Sequence, residues 1–361
     1  MSLHPHIKPR FNSTQLVMFD VLIALFPVLI VGWMAYGKIL LVQLGVALGS
    51  ALVTDFVFSS VFLKKYDSVL DGSSVVTAIL LVCTLAPLTP WYVVSFGAFS
   101  AILLGKIVWG GLGKNRFNPA LVGREFMSVF FTAAMTSPML WKSGDLIRQE
   151  TVNLFHGMAS PYVSKYLSAV IYKTDGAMGE YSILAIFIGG LYLLFRSRIS
   201  WHIPLSLLLT WSVLSWINGT AGTQYSVAGI LLGTVFMATD MPSSPTTPNG
   251  KLFYGVMTGV CLFIFIKEGI RFEYMSFSIL LMNGFADRIS MVFNPRAWGE
   301  KQDYKRKMEE VFVLTLKILT VSFAVLTLYR YGWINYVVFT YMIYIVFKFN
   351  FSFAQAVNKY V

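Results

Sequence analysis

Charge is scarce in this sequence. Asp, Glu, Lys and Arg make up 12% of its residues, against about 25% in a soluble domain. A water-exposed globular surface over most of the chain is thereby excluded. Cysteine is scarcer still, with only Cys83 and Cys261, each inside an apolar run. Two cysteines suggest no disulfide framework, and they cannot supply the four thiolates of an iron–sulfur cluster within one chain. A cluster completed by a partner chain stays open, beside the plainer reading of two small buried hydrophobes. The four histidines, His4, His6, His156 and His202, show no metal-ligand spacing. The polar start, Met1 to Asn12, lacks a short apolar core before a cleavage site. It reads as a cytoplasmic tail rather than a signal peptide.

What the sequence has in abundance is apolar length. Hydrophobic residues reach 56% and aromatics 16%, and the mean hydropathy is +0.67. The fold class that follows is an all-α polytopic membrane protein. Trp33, Trp91, Trp109, Trp201 and Trp333 sit at the ends of apolar runs, as interfacial belts require. The net charge of +11 would point to nucleic acid in a soluble protein. Here Lys and Arg flank apolar segments, which is the pattern of cytoplasmic membrane loops, so the expected partner is the lipid bilayer and no nucleic acid.

About twelve segments have a length suited to the bilayer. They lie near 17–36, 39–63, 73–87, 91–109, 119–136, 182–196, 201–217, 225–239, 252–268, 274–292, 312–328 and 332–353. The third and eighth are short and end in Pro-rich turns, the mark of broken or half-length helices. Basic residues in short loops place the N-terminus, and with it the C-terminus, on the cytoplasmic side. Thr77 to Pro90 and Val227 to Pro248 look like two copies of one plan, about 150 residues apart. Five segments per copy is an odd number, so the copies must run oppositely through the membrane. The expected organisation is a cytoplasmic tail (1–16), a first membrane repeat (17–137), an extracytoplasmic loop (138–181), a second, inverted repeat (182–300) and an appended transmembrane hairpin (301–361).

Two polar insertions interrupt the apolar pattern. One is Gly110-Gly111-Leu112-Gly113-Lys114-Asn115-Arg116-Phe117-Asn118-Pro119. The other runs from Met237 through Asp240 to Pro248. In hydrocarbon an irregular backbone is tolerated only where protein buries it or where it lines a cavity. Matching insertions in two halves therefore point to a buried working site between them. Asn115 and Asn118 either hold their turn together or line a cofactor or ion path. Asp240, at a broken-helix end, either caps the turn or serves a cofactor or cation. Asp20, Asp55 and Glu125 are further ion-pathway candidates, since carboxylates at membrane depth are expensive. Glu125 also reads as the partner of Arg124 in an ion pair. Lys114 has no Ser or Thr after it, so the Gly-rich turn is no phosphate-binding loop. No catalytic residue and no metal site is singled out.

Four segments resemble a known family. Gly113 to Arg124 resembles the GxNxFNPAxxGR-type segment of the RnfD/NqrB family of ion-translocating redox complexes. Gly176 to Ser182, followed by Trp201-His202-Ile203-Pro204, resembles its GSxGETS…WxIP segment. Phe236 to Asp240 with Ser244 to Gly250 resembles its FMATDPxTSPxTPxG segment. Leu280 to Asn283 with Asp287-Arg288 resembles its LLMNxxxPxIDR ending. The likeness runs in order over roughly residues 5–300, and four separate motifs make it specific. The last hairpin lies outside the usual family length.

The resemblance implies a membrane subunit of an Rnf-type complex in a bacterial or archaeal cytoplasmic membrane. Such a subunit passes electrons through flavin between ferredoxin and NAD, by way of sibling membrane and soluble subunits, and couples them to Na⁺ or H⁺ movement. It is not a complete enzyme alone. The implied cofactor is FMN, with riboflavin as a second flavin. In the family a threonine in a D-x-x-[S/T]-G-A-T motif carries FMN through a phosphoester bond. Here Asp145 and Thr151 keep the spacing, so Thr151 is the candidate for covalent FMN. However, Leu146-Ile147-Arg148-Gln149-Glu150 stands where S/T-G-A belongs. Glu150 would repel a neighbouring phosphate. The rival reading is an inverted-repeat transporter or channel without a redox role.

Overall fold

The computed structural model describes residues 13–141, 176–219, 223, 225–295 and 304–358. Among the described residues the chain is helical and has no strand. The first five helices are α1 (Ser13–Tyr36), α2 (Lys38–Phe58), α3 (Ser73–Cys83), α4 (Trp91–Gly105) and α5 (Pro119–Phe130). After the long connection come α6 (Ile183–Phe195), α7 (His202–Asn218), α8 (Val227–Leu232), α9 (Pro248–Lys267) and α10 (Tyr274–Val292). A final pair, α11 (Tyr304–Arg330) and α12 (Ile334–Asn358), follows. Among the described residues, five stretches are long and apolar enough to cross a bilayer: Thr14–Tyr36, Lys38–Leu63, Trp91–Trp109, Pro248–Lys267 and Tyr304–Arg330. The chain is an all-α polytopic membrane protein.

The breaks have local causes. α3 stops where Thr84 and the prolines Pro87 and Pro90 follow, and Pro90 then fixes the entry to α4. α8 loosens into a wide π turn over Gly233–Met237 before the run of prolines begins at Pro242. α5 and α9 start alike. Asn118 and Thr247 are N-caps, and Pro119 and Pro248 stand at the first helical turn, where no N–H is needed. The fifth segment, expected over 119–136, is broken at Phe131. There the Thr132 hydroxyl takes the carbonyls of Ser128 and Val129, a local alternative to the helical ladder. The eleventh, expected from 312, begins at Tyr304. Its first turns are too charged for a hydropathy reading, yet suited to a helix, and Arg306 pairs with Glu310 one turn on.

The same packing occurs twice. α2 runs along α4, and α4 along α5; α7 runs along α9, and α9 along α10. Small residues permit the close approach that membrane helices rely on. A Cβ on Gly123 of α5 would stand 2.7 Å from that of Ala101 on α4, and one on Gly255 of α9 would stand 2.8 Å from the Ile203 carbonyl oxygen on α7. α1 lies against α6, and α5 touches α10. The last pair of helices straddles both sets. α11 buries Leu314, Ile318, Ser322 and Leu326 toward α9 and α10, with Ser322 Oγ 3.1 Å from Cys261 Sγ. α12 packs on α5, and Tyr341 accepts from Trp109 Nε1 at 3.2 Å.

Candidate functional site

The two polar insertions meet. Asn118 Oδ1 accepts from the N–H groups of Ala120 and Leu121, which caps α5. Its Nδ2 donates to the Met237 carbonyl at 3.4 Å, at the loosened end of α8. Asn115 Nδ2 donates to Asp240 Oδ2 at 3.3 Å, and the Ser243 hydroxyl donates to the same oxygen at 2.8 Å. Asn283 of α10 closes the lattice. It accepts from the Asn118 N–H at 3.1 Å and donates to the Ser243 carbonyl and the Tyr254 hydroxyl, both at 2.9 Å. Asn115, Asn118 and Asn283 are all buried. Each half thus supplies the hydrogen-bond partners that the broken backbone of the other lacks, as non-helical chain at membrane depth requires.

Beside this lattice lies a cavity of about 430 Å³. Its apolar wall includes Val17, Met18, Val76, Leu80, Val235 and Phe236, from α1, α3 and the end of α8. Its polar edge includes Lys106, Asn115, Asn118, Thr239 and Asp240. A pocket of that size, mostly apolar with a few convergent polar groups, is the usual form of a small-molecule or cofactor site. The lining offers apolar side chains to a ring system and amide, hydroxyl and carboxylate groups to a polar edge.

The remaining carboxylates fall into three settings. Asp20 is held by Tyr192 at 3.0 Å, Arg196 at 3.3 Å and Arg198 at 2.5 Å, so it ties α1 to the end of α6. Asp55 is wholly buried and paired with Lys106 at 3.0 Å. Three serine hydroxyls, from Ser59, Ser68 and Ser74, also donate to Asp55. Glu125 lies in the middle of α5, outside the cavity lining, and forms no ion pair with Arg124. Arg124 instead donates to the carbonyls of Thr84 and Phe272. Glu273 is buried near Glu125, and burial pushes its carboxyl above the ordinary range. Thr151 lies outside the described residues.

Sequence reasoning did not single out Lys106 or Tyr254. Lys106 stands at the end of an apolar helix and looks like one more basic loop residue. Only its 2% exposure reveals a buried ion pair. Tyr254 is wholly buried inside α9, and its one polar atom is what meets Asn283.

Comparisons with known proteins identify the family. The sequence model of the NQR2, RnfD, RnfE family matches residues 1–299. The chain is 35% identical over 316 residues to the D subunit of the Na(+)-translocating ferredoxin:NAD(+) oxidoreductase complex of Acetobacterium woodii, covering 83% of this chain and 95% of that one. It is 30% identical over 325 residues to the D subunit of the proton-translocating ferredoxin:NAD(+) oxidoreductase complex of Clostridium ljungdahlii, covering 84% and 96%. With the D subunit of the ion-translocating oxidoreductase complex of Stutzerimonas stutzeri the identity is 29% over 328 residues, covering 80% and 93%. By the length of these matches, the chain belongs to the NQR2, RnfD, RnfE family.

Proposed function

We propose that this chain is the D-type membrane subunit of an Rnf-like complex, holding a flavin in the cavity beside Asp240 and relaying electrons that drive Na⁺ or H⁺ across the membrane. Ferredoxin and NAD are reached through partner subunits. The observation that carries the reading is the cavity itself. It lies where the broken end of α8 meets the Gly-rich turn before α5, and its polar edge is made by Asn115, Asn118, Lys106 and Asp240.

A flavin bound there would supply one- and two-electron chemistry. The chain's own residues do the rest. Val76, Leu80 and Phe236 form the apolar wall and keep water from the ring. Asn115 fixes the Asp240 carboxylate, with Ser243 on the same oxygen. Lys106 places positive charge at the cavity wall while Asp55 holds it in position. FMN and riboflavin share the ring system that this wall suits. Covalent FMN on Thr151 is a separate proposal, motivated by the spacing from Asp145 and weakened by the missing Gly-Ala. The two five-helix sets are read as inverted repeats spanning a cytoplasmic membrane, with both termini inside. The recurring packing of second on fourth and fourth on fifth helix supports that reading.

The test is the visible absorbance of the purified full-length chain, followed by extraction of any chromophore on denaturation. A released flavin is expected, and Asp240→Asn should lower its occupancy severalfold. Colourless protein that moves solute into liposomes without partner subunits would instead establish the transporter reading.

A further inference from the structure

The lattice around Asn283 has a counterpart at the opposite end of the interface. There Arg124, on α5, reaches the carbonyl of Thr84, just past the end of α3. Its other NH₂ group donates to the Phe272 carbonyl at 2.9 Å, in the loop before α10. With both terminal nitrogens on carbonyls, Nε has no hydrogen-bond partner although the residue is 5% exposed. Next in sequence, Glu125 is 7% exposed. Ser276 lies beside its carboxyl, and Oε1 has no hydrogen-bond partner. Glu273, 6% exposed, faces Glu125 within electrostatic reach and takes the Ser128 hydroxyl at 3.4 Å.

The other groups around the pair come from several elements. Glu180, from the turn before α6, interacts with Tyr274 of α10, as Arg124 does. Tyr329 of α11 lies in the field of Glu273, Arg271 and Glu125. Arg271 is exposed at the rim. The buried shell therefore sets one guanidinium, with its terminal nitrogens committed to neutral carbonyls, against two buried carboxyls. Two ionised carboxylates in that shell would leave a buried negative charge without compensation, which proteins avoid by binding a cation or a proton. A cavity of about 30 Å³ adjoins, lined by Thr84, Arg124, Glu180 and Ser276 among others. It is large enough to hold a water molecule beside Arg124 and Ser276, the neighbours of the pair.

We propose that Glu125 and Glu273 together hold one exchangeable monovalent cation, a proton when Na⁺ is absent, at the end of the interface opposite the flavin cavity. As a station for the translocated ion it rests on the reading of this chain as part of an ion-translocating complex. As a binding site it rests only on the pair. The proton sits on one carboxyl oxygen and leaves to water as H⁺, with the carboxylate as the other product.

Infrared spectroscopy of the purified full-length chain tests this without flavin or partner subunits. In Na⁺-free neutral buffer, wild type should show a protonated-carboxyl C=O band that shifts in D₂O and survives Asp240→Asn. Glu125→Gln and Glu273→Gln should each abolish that whole band, because the remaining carboxylate can then ionise opposite Arg124. Glu125→Asp should retain it, which guards against a variant that fails to fold. Loss of the wild-type band on adding Na⁺ but not K⁺ identifies the ion as Na⁺; loss only at alkaline pH identifies it as a proton. A wild-type chain with no such band in Na⁺-free buffer overturns the proposal. So does a band untouched by both Gln variants. A flavin-free preparation with the band intact would sink the flavin reading alone.

Discussion

Arg124 and Asn283 do the same work from opposite halves of the molecule. Each projects from the fifth helix of its set. Each bonds the turn after its own half-length helix, Thr84 for Arg124 and Ser243 for Asn283. Each also bonds the segment just before the other set's fifth helix, Phe272 for Arg124 and Asn118 for Asn283. This exchange is what a rotation of one set onto an inverted other would produce, and it stitches the two broken helices into one interior.

The stitching has a stability consequence. Asn283→Leu keeps the branched skeleton, with slightly bulkier methyl groups, but strands the Asn118 N–H, the Ser243 carbonyl and the Tyr254 hydroxyl. Each stranded buried group costs about 1–3 kcal/mol. A fall in the thermal unfolding midpoint of the detergent-purified chain is expected. Asn283→Asp should fall between, since it keeps the acceptor for Asn118 and loses the donors. A Leu variant as stable as wild type would show that the lattice is incidental.

Orientation is open to direct test. Lys64 follows α2 and Lys251 lies in the first turn of α9. Inverted repeats with the N-terminus inside put both on the cytoplasmic side and position 151 on the other. Single cysteines at 64, 251 and 151, labelled in intact cells and in inverted vesicles, should divide in that way. Labelling of 64 and 151 from one side would defeat the topology.

Covalent flavin at Thr151 is decided by intact mass. Co-expression with a flavin transferase should add one FMN to wild type and none to Thr151→Ala, if the retained spacing suffices. An addition that persists in the Ala variant would place the bond on another hydroxyl. An unmodified wild type would show that the loss of Gly-Ala before the threonine abolishes transfer.

The buried Asp55–Lys106 pair makes a sharper stability prediction. Lys106→Met removes the cation and leaves Asp55 among three serine hydroxyls. Breaking one side of such a pair costs about 3–5 kcal/mol. Adding Asp55→Asn should restore most of that loss, because the fully buried charge is gone and only the part-exposed Asp71, 3.6 Å from Lys106 Nζ, loses its cation. If the double variant is no more stable than Lys106→Met, the pair is not what stabilises this corner.

The sequence announces the polar insertions, the short third and eighth segments and Asn115, Asn118 and Asp240, because polar residues between apolar runs stand out. It does not announce which carboxylates are paired. Asp20, Asp55 and Glu125 look alike as isolated acids in apolar surroundings. Their differences come from distant residues: Arg196 and Arg198 for Asp20, Lys106 for Asp55, Glu273 for Glu125. Those separations of up to 178 residues are set by tertiary packing, which local pattern does not encode. The early start of α11 was hidden for the opposite reason, since charge masks a helix from a hydropathy reading.

Asp240 offers the most discriminating experiment. Its carboxylate ends a loosened helix and precedes Pro242, so backbone donors around it are few. Two side chains, Asn115 and Ser243, hold one of its oxygens. A turn-holding role and a role toward flavin or ion both fit that geometry, and Asp240→Asn separates them. The variant keeps the shape, one acceptor oxygen and most of the hydrogen bonding, and it removes the charge. If Asp240 only holds the turn, the assembled complex should retain near-normal ferredoxin:NAD⁺ activity and ion transport. The cavity wall places it instead where charge would act on a bound flavin or a passing cation. Normal assembly is therefore expected, with electron transfer or transport lowered severalfold. Full activity in the Asn variant at wild-type expression would leave Asp240 as a residue of the turn.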